Sequence, residues 1–549
     1  MAVDDELVAL LGNPHDPENP VGYRSCLKAD ERGEILREGE RRLTDFGLGA
    51  EFVPADMGGR LRTLDRTVAL LRAVYARDPA LGLGFGLTSL IAAVNVWAAG
   101  EGALRREAAD VLLGRGRIAS AYHEFAHGSD IAAAELAASP ECGGYVLTGH
   151  KEVVTNIGRA EAILVYARTS PAPGPRSHSL FLLRSAELPA GAVRRHHRYP
   201  SVGMRSVQLG GLDFDRCRVV ADRRVGSEGA GLEIALRSFQ VTRTVIPGVL
   251  TGILDTALRM ALRYALDRRL YGRPVIALPR VRAVLADVYG DLLLAETFAR
   301  VAVRALHLLP EQAVMHAAAV KYLVPQMIVA GVNNLAGLLG GSSYLREGEH
   351  AYFQKLVRDV QPSTFGHASG ISCLMSLLTY LPAIGRTARQ NRPRLPTEEM
   401  FRPTAPLPDL AWERLGLRGG DVDDLFMLPL TDVPLPERCA EVVEAIEAER
   451  TSLAERYAGL SPEDRGAAAR VSAYELARRY TIVLAASSCV GVWRHRTSND
   501  ANATATAGAL VRAAHLLDRN REMSTQVREN LLDEATQRIE SHARLCDPG

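Results

Sequence analysis

At 549 residues the chain is too long for one ordinary hydrophobic core, so several domains are expected. It is 47% hydrophobic and 23% charged, a globular composition, and 65 Lys+Arg against 64 Asp+Glu give it no global attraction for nucleic acid or an acidic membrane. The seven cysteines are scattered with no CxxC spacing, which points to neither a zinc site nor a disulfide framework. The opening MAVDDELVALL has no basic region leading into an apolar core, so no signal peptide is expected, and a reducing cytoplasm is the natural setting.

In chain order, residues 1 to about 115 read as helices, among them Leu64–Ala76 and Gly102–Leu113. Between these two, Ala80–Gly100 is about long enough to span a bilayer, but its four glycines, Thr88, Ser89 and Asn95 suit a buried core helix, and no stable membrane insertion is expected. From Ile118 to about Val225 the apolar runs are short and β-branched, as in Ala162–Ala167 and Ser179–Leu183, which suggests a small barrel or sandwich. Helices return after Gly231. Apolar residues at 246, 249, 250, 253, 254, 257, 258, 261, 262 and 265 form one continuous helical stripe, and long helices over Arg280–His307 and Glu311–Leu339 complete an antiparallel bundle.

The Pro-rich, charged stretch Arg389–Pro408 reads as a linker or a surface strap. Beyond it, Glu437–Tyr457, Pro462–Val490, Ala507–Leu517 and Gln526–Ala543 read as helices. Ser461 stands as the N-cap of the second, with Pro462 at its first position. This last region carries no motif to which chemistry attaches.

Several strings then fall in an informative order. FVPADMGG at Phe52–Gly59 resembles an "IP-x-x-x-GG" turn, and AYHEFAHGSD at Ala121–Asp130 resembles a "TEP-x-AGSD" loop. GHKEVVTN at Gly149–Asn156, with Ala160 and Ala167–Thr169, is similar to "G-x-K-x-x-ITN … A … A-x-T". Gly203–Arg205 and Gly226–Gly231 occupy "GMR" and "G-x-x-G-x-G" positions. RRLYGRP at Arg268–Pro274, LGGSSY at Leu339–Tyr344 and Val357–Asp359 resemble "R-x-x-FG-x-P", "LGG-x-GY" and "x-RD". Together they resemble the acyl-CoA dehydrogenase superfamily over roughly residues 45–385. The resemblance implies a mainly α fold with a central β-domain: an N-terminal helical domain (1–116), a middle β-barrel (117–228) and a helical bundle (229–388). A linker (389–411) and an extra C-terminal helical domain (412–549) follow.

The resemblance also implies FAD, an acyl thioester on CoA or an acyl carrier protein, and an electron-transfer or flavin reductase partner. A homodimer is expected, because long members carry an added domain over the surface otherwise used for tetramers. Tyr122, His123, Gly128, Ser129, Val153, Thr155, Arg268, Tyr271, Gly340 and Gly341 match cofactor-binding positions; Ser129, Thr242 and Arg243 match substrate-lining ones. Read alone, Gly128-Ser129 is a plain turn, Thr155 an ordinary strand residue and Arg268 a solvated helix-end arginine. Gly340-Gly341 alone is a helix C-cap. The basic run Arg194–Arg198 is read as a solvated strand or loop rather than as a phosphate contact.

The family's oxidation needs a carboxylate opposite the flavin to take the α-proton. Its glutamate lies shortly after "RD", where this chain reads RDVQPSTFGHAS from Arg358. Counting from Asp359 puts His367 at the glutamate, and anchoring on Phe365 puts Gly366 there, so these two are the candidate catalytic positions. A second glutamate position holds Thr242. His123 stands for the loop threonine, Val153 for a flavin-stacking aromatic, and Gly337 and Pro279 for glutamines. Three readings follow. The first is α,β-oxidation of an acyl thioester with His367 as an atypical base. The second is a flavin-dependent monooxygenase using reduced flavin, which His123 and His367 together suit. The third is a flavin-poor, non-redox role.

Overall fold

The computed structural model describes residues 3–196, 198–390, 396–417, 419–435, 437–496, 503–541 and 543–546. His197 of the basic run and residues 391–395 of the expected strap lie outside them. The chain forms two compact units: residues 1–242 with 410–417, and residues 243–409 with 418–549.

The first unit opens with α1 (Asp5–Leu11), α2 (Tyr23–Arg32), α3 (Arg37–Phe46) and α4 (Leu64–Arg77). Next, α5 (Pro79–Gly82), a π-helical turn (Leu83–Leu87) and α6 (Thr88–Ala99) run on as one helix, capped where Asp78 Oδ1 accepts from Ala80 N at 2.8 Å. This is the apolar stretch that reads as a core helix, and 89% of its most apolar window is buried; α7 (Gly102–Leu113) follows.

The expected barrel or sandwich is one mixed sheet of eight strands. They are β1 (Ile118–Ala121), β2 (Ala137–Glu141), β3 (Gly144–Thr155), β4 (Ala162–Arg168), β5 (His178–Arg184), β6 (Val193–Arg195), β7 (Leu209–Val220) and β8 (Arg224–Val225). The order is β6-β7-β3-β2-β4-β5-β8, with β1 parallel to β4. A single residue pair, Ala137 with Arg168, joins the halves. Both halves contribute to one core that includes Leu147, Val165, Phe181 and Phe214, as alternating strands require.

Helix α8 (Gly231–Asp267) begins in the first unit and continues into the second, and all ten apolar residues of the predicted stripe are buried. A two-strand hairpin follows, β9 (Arg269–Leu270) with β10 (Arg273–Pro274). Its turn residues Tyr271 and Gly272 both have positive φ, as a two-residue hairpin turn demands. Then come α9 (Pro279–Leu308) and α10 (Ala313–Leu339). Gly331 of α10 sits where a Cβ would come within 2.8 Å of Leu254 on α8 and 3.4 Å of Val288 on α9, so the three helices meet there.

Shorter helices α11 (Ala351–Asp359), α12 (Gly370–Leu378) and α13 (Leu381–Ala388) close the matched region. The described part of the strap is clamped by buried Arg304 of α9, which donates to the carbonyls of Glu399, Pro403 and Ala405, and by His307, whose Nδ1 lies 2.9 Å from Pro408 O. The extension consists of α14 (Glu437–Ala458), α15 (Val471–Arg494), α16 (Ala503–Leu517) and α17 (Thr525–Glu540).

One expected helix is corrected. Pro462–Val490 is a 3-10 turn at Pro462–Asp464 and then α15 from Val471. Asp464 takes the Arg470 guanidinium and accepts from Arg470 N at 3.2 Å, which competes with helical continuation across Gly466. The Ser461 hydroxyl donates to Asp464 at 3.2 Å and caps no backbone N–H. The extension docks on α9 through a buried ion pair, Arg512 to Asp291 at 2.8 and 3.0 Å.

Candidate active site

In the first unit the loop Ala121–Asp130 is stitched to a bulged strand. The Glu124 carboxylate accepts from Glu135 N at 2.7 Å, Leu136 N at 3.0 Å and Lys151 Nζ at 2.7 Å, and Lys151 also donates to Tyr122 O at 3.1 Å. Burial pulls the Lys151 ammonium down to about 8, against the Glu124 charge that favours it. Glu124 keeps its carboxyl below the ordinary range despite its own burial, because Lys151 and the two backbone donors hold the anion.

In β3 the register with β7 slips between Lys151 and Val154, which takes Glu152 and Val153 out of the ladder. Glu152 N donates instead to His123 O at 2.9 Å. Val153 adopts φ +57°, an outlier for a β-branched residue that this anchoring has to hold in place.

His123 and Val153 are therefore brought together, half-buried, and Thr155 ends the same strand opposite Leu209. Burial lowers the His123 imidazole, with Lys151 adding and a backbone contact from Gly128 opposing, so the ring is neutral near pH 7. Gly128, at φ +53° with no atom within 4 Å of a would-be Cβ, and exposed Ser129 leave open space beside it. The Tyr122 side chain is turned into the core, stacked on Tyr166 at 5.1 Å and donating to Asn95 Oδ1 at 2.9 Å. Thr242 is buried, and its hydroxyl turns back to Ser238 O and Phe239 O at 3.4 Å each.

In the second unit the turn that carries His367 follows a 3-10 segment at Gln361–Thr364. Lys321 of α10, 2% exposed, donates to Ser363 O at 2.7 Å and makes no ion pair among the described residues. The charged and titratable groups it faces are Cys373 and Arg243. Burial pulls its ammonium to about 8, and burial pushes the Cys373 thiol up. His367 itself is half-buried at φ +67°. Gly366 accommodates a tight turn, since its N–H bonds Pro362 O at 2.7 Å and a Cβ would lie 2.8 Å from that oxygen. Arg243 is half-buried at the start of this unit.

The remaining matched positions are at the surface. Arg268 is exposed with no side-chain partner among the described residues, Tyr271 is 86% exposed, and Gly340 (φ +56°) and Gly341 have nothing within 4 Å of a would-be Cβ. The two lysine anchors were not among the sequence candidates. Their only textual signal was a lone Lys in an apolar helix, Ala317–Val324, and a Lys in the "G-x-K" strand string.

Comparisons with known proteins agree with this architecture. The model of the acyl-CoA dehydrogenase middle domain matches residues 119–217 and that of the acyl-CoA dehydrogenase C-terminal domain matches 229–370. The Caenorhabditis briggsae protein "Probable medium-chain specific acyl-CoA dehydrogenase 2, mitochondrial" is 28% identical over 272 residues, 49% of this chain and 66% of its own length. Among the first eight curated relatives the matched share of their length runs from 60% to 76%.

Butyryl-CoA dehydrogenase from Megasphaera elsdenii superposes with TM-score 0.62 at 20% identity, covering 68% of this chain and 97% of that one. The prolyl acyl carrier protein oxidase AnaB gives 0.55 at 19%, covering 64% and 95%. The solved structures thus share the fold and leave about a third of this chain uncovered. Residues 119–217 and 229–370 thus carry the middle and C-terminal domains of the acyl-CoA dehydrogenases, in a fold that solved acyl-CoA dehydrogenases share.

Proposed function

We propose that the chain is an FAD-dependent oxidoreductase that removes two hydrogens across the Cα–Cβ bond of an acyl thioester, carried by CoA or by an acyl carrier protein. Support comes from the two matched catalytic-domain models and from neighbours named as acyl-CoA dehydrogenases and as an acyl carrier protein oxidase. The residues suit a flavin. The β3 bulge frees backbone beside His123 and Thr155, Gly128 leaves room for close approach, and Arg268 carries a guanidinium with no acid of its own among the described residues. Bound FAD supplies the hydride acceptor for such chemistry.

In the first unit His123, Gly128, Ser129, Val153 and Thr155 would hold the flavin, and in the second Arg268, Tyr271, Gly340 and Gly341 would reach the flavin of a second copy. The exposure of the last four, with Tyr344 at 87%, suits a homodimer in which a second copy covers them. His367 takes the α-proton on an imidazole nitrogen, in place of a carboxylate. The observation that carries this assignment is the setting of Lys321: its ammonium holds the turn before His367, yet the charged and titratable groups it faces are a thiol and an arginine, with no acid among them. An electron-transfer protein is the proposed acceptor of the electrons.

The test is anaerobic addition of acyl thioesters to the flavin-loaded protein, followed at the flavin absorbance. Bleaching by at least one chain length is expected, and His367→Ala should lower its rate by about 10²–10⁴-fold. No bleaching with CoA or carrier-bound substrates sinks the proposal. An oxygenated product formed only with supplied reduced flavin replaces it with the monooxygenase reading.

A further inference from the structure

The geometry points to a phosphate-binding site in the first unit, at the amino-terminal end of α3, formed by Arg37, Arg198 and Ser206. A cavity of about 310 Å³ opens there, within the range of small-ligand sites. It lies outside every motif shared with the dehydrogenases and draws on the basic run that sequence alone reads as solvated.

Four observations converge on an anion. The first turn of α3 has no side-chain cap, because its N-cap is Leu36. Its free N–H groups and the positive end of the helix dipole therefore face outward. Secondly, Arg198 is fixed by carbonyls rather than by an acid. Its Nε donates to Val207 O at 3.0 Å and its Nη1 to Gly33 O, and it makes no ion pair among the described residues.

The seat for this guanidinium is cut to shape: at Gly33, with φ +64°, a Cβ would come within 2.6 Å of Arg198 Nη1. Burial weakens the Arg198 charge and Arg205 opposes it, while Asp30 favours it. Thirdly, Arg37 at the first helical position is exposed and carries no ion pair among the described residues. Fourthly, Ser206 is 7% exposed, and its Oγ is sealed from solvent without a hydrogen-bond partner. Such orphan buried hydroxyls call for a reason, and this one lines both the cavity and the small recess adjoining it.

The nearby acids leave the positive charge in place. Asp30 and Glu31 are bound by Arg205, Glu38 by Arg41 and Arg42, and Glu40 by Arg159 and Arg117. Among the described residues only Glu34, exposed at the rim, is uncommitted, against two arginines. Two planar forks, a hydroxyl donor and helix N–H groups offer more donors than a carboxylate uses, and they match the oxygens of a phosphate.

Calorimetric titration of the full chain with inorganic phosphate tests the site, independently of any flavin activity. Saturable binding is expected, weakened about tenfold or more in Arg37→Gln and in Arg198→Gln, and about threefold or more in Ser206→Ala. Arg37→Gln removes an exposed side chain with no partner among the described residues, so its result stands even if Arg198→Gln disturbs the fold. Absence of saturable binding, or Arg37→Gln and Ser206→Ala binding as tightly as the parent, overturns the site. Competition identifies the source. Displacement of phosphate by CoA but not by dephospho-CoA places a carrier's phosphate ester in the cavity, and displacement by neither makes free phosphate the ligand.

Discussion

Lys151 in the first unit and Lys321 in the second perform the same mechanical task. Each is buried, each donates to a backbone carbonyl (Tyr122 O at 3.1 Å, Ser363 O at 2.7 Å), and each stands near a non-glycine residue in the left-handed region, Val153 and His367. Burial pulls both ammonium groups to about 8. They differ in charge balance. Lys151 is neutralised by Glu124 at 2.7 Å, whereas Lys321 faces a thiol and another cation. The lesson is that an anchor for strained backbone and its electrostatic setting are separable: a turn can be held by a lysine with no acid beside it.

Breaking the two anchors should show this asymmetry most strongly in stability. Lys151→Met leaves the buried Glu124 carboxylate with its two backbone donors and no cation nearer than the His127 imidazole at 3.7 Å, a loss of about 3 kcal/mol or more. Lys321→Met leaves one carbonyl without a donor, about 1–3 kcal/mol, and also removes an uncompensated buried charge. Urea unfolding of both variants checks this, and equal losses would erase the distinction between the two sites.

The next effect is in pH. The unfolded chain keeps the Lys321 proton up to about 10.5, while the folded chain releases it from about 8. Between those values the unfolded state binds more protons, so stability conferred by this group rises with pH, by about 3 kcal/mol in all. The stability of the parent relative to Lys321→Met should climb across that window; a flat difference would show that Lys321 is not buried as a cation.

The smallest effect concerns strain. At φ +67° a glycine is relaxed and an alanine is not, so His367→Gly should exceed His367→Ala in stability by about 1 kcal/mol in the same unfolding assay. Val153→Gly should show a gain of the same order over Val153→Ala if its bulge is strained in the same way. A reversed order at either position would place the backbone outside the left-handed region.

Much of the fold was legible because it is written in local periodicity and in ordered strings. The α8 stripe is buried at every predicted position, and the short β-branched runs Ala162–Ala167 and Ser179–Leu183 pair as β4 and β5. The break after Asp464 was hidden because Pro462 and the acids that follow it read as a helix start, while the competing partner, Arg470, lies six residues on. Of the site, the missing carboxylate could be read directly as text. The anchors could not: a lysine in an apolar helix reads the same whether it snorkels to solvent or is sealed inside. The neighbours that decide the matter for Lys321 come from α8, the 3-10 segment at Gln361–Thr364 and α12, far apart in the chain. The core contacts of the Tyr122 side chain were hidden for a related reason, since its partners Asn95 and Tyr166 flank it at a distance in sequence.

The segment Leu410–Leu417 belongs to the first unit although residues 243–409 intervene. Gly416 O accepts from the buried Gln240 amide at 2.6 Å, and the Trp412–Arg414 turn lies against α6. During synthesis this fixes an order of completion. A nascent chain that has emerged through Thr242 lacks the final piece of its first unit, and must wait for the whole bundle to be translated, on the order of ten seconds or more at ordinary elongation rates. Until then the first unit is exposed as an unfinished intermediate, so a chaperone that shelters nascent chains would have its longest dwell on this protein in that interval.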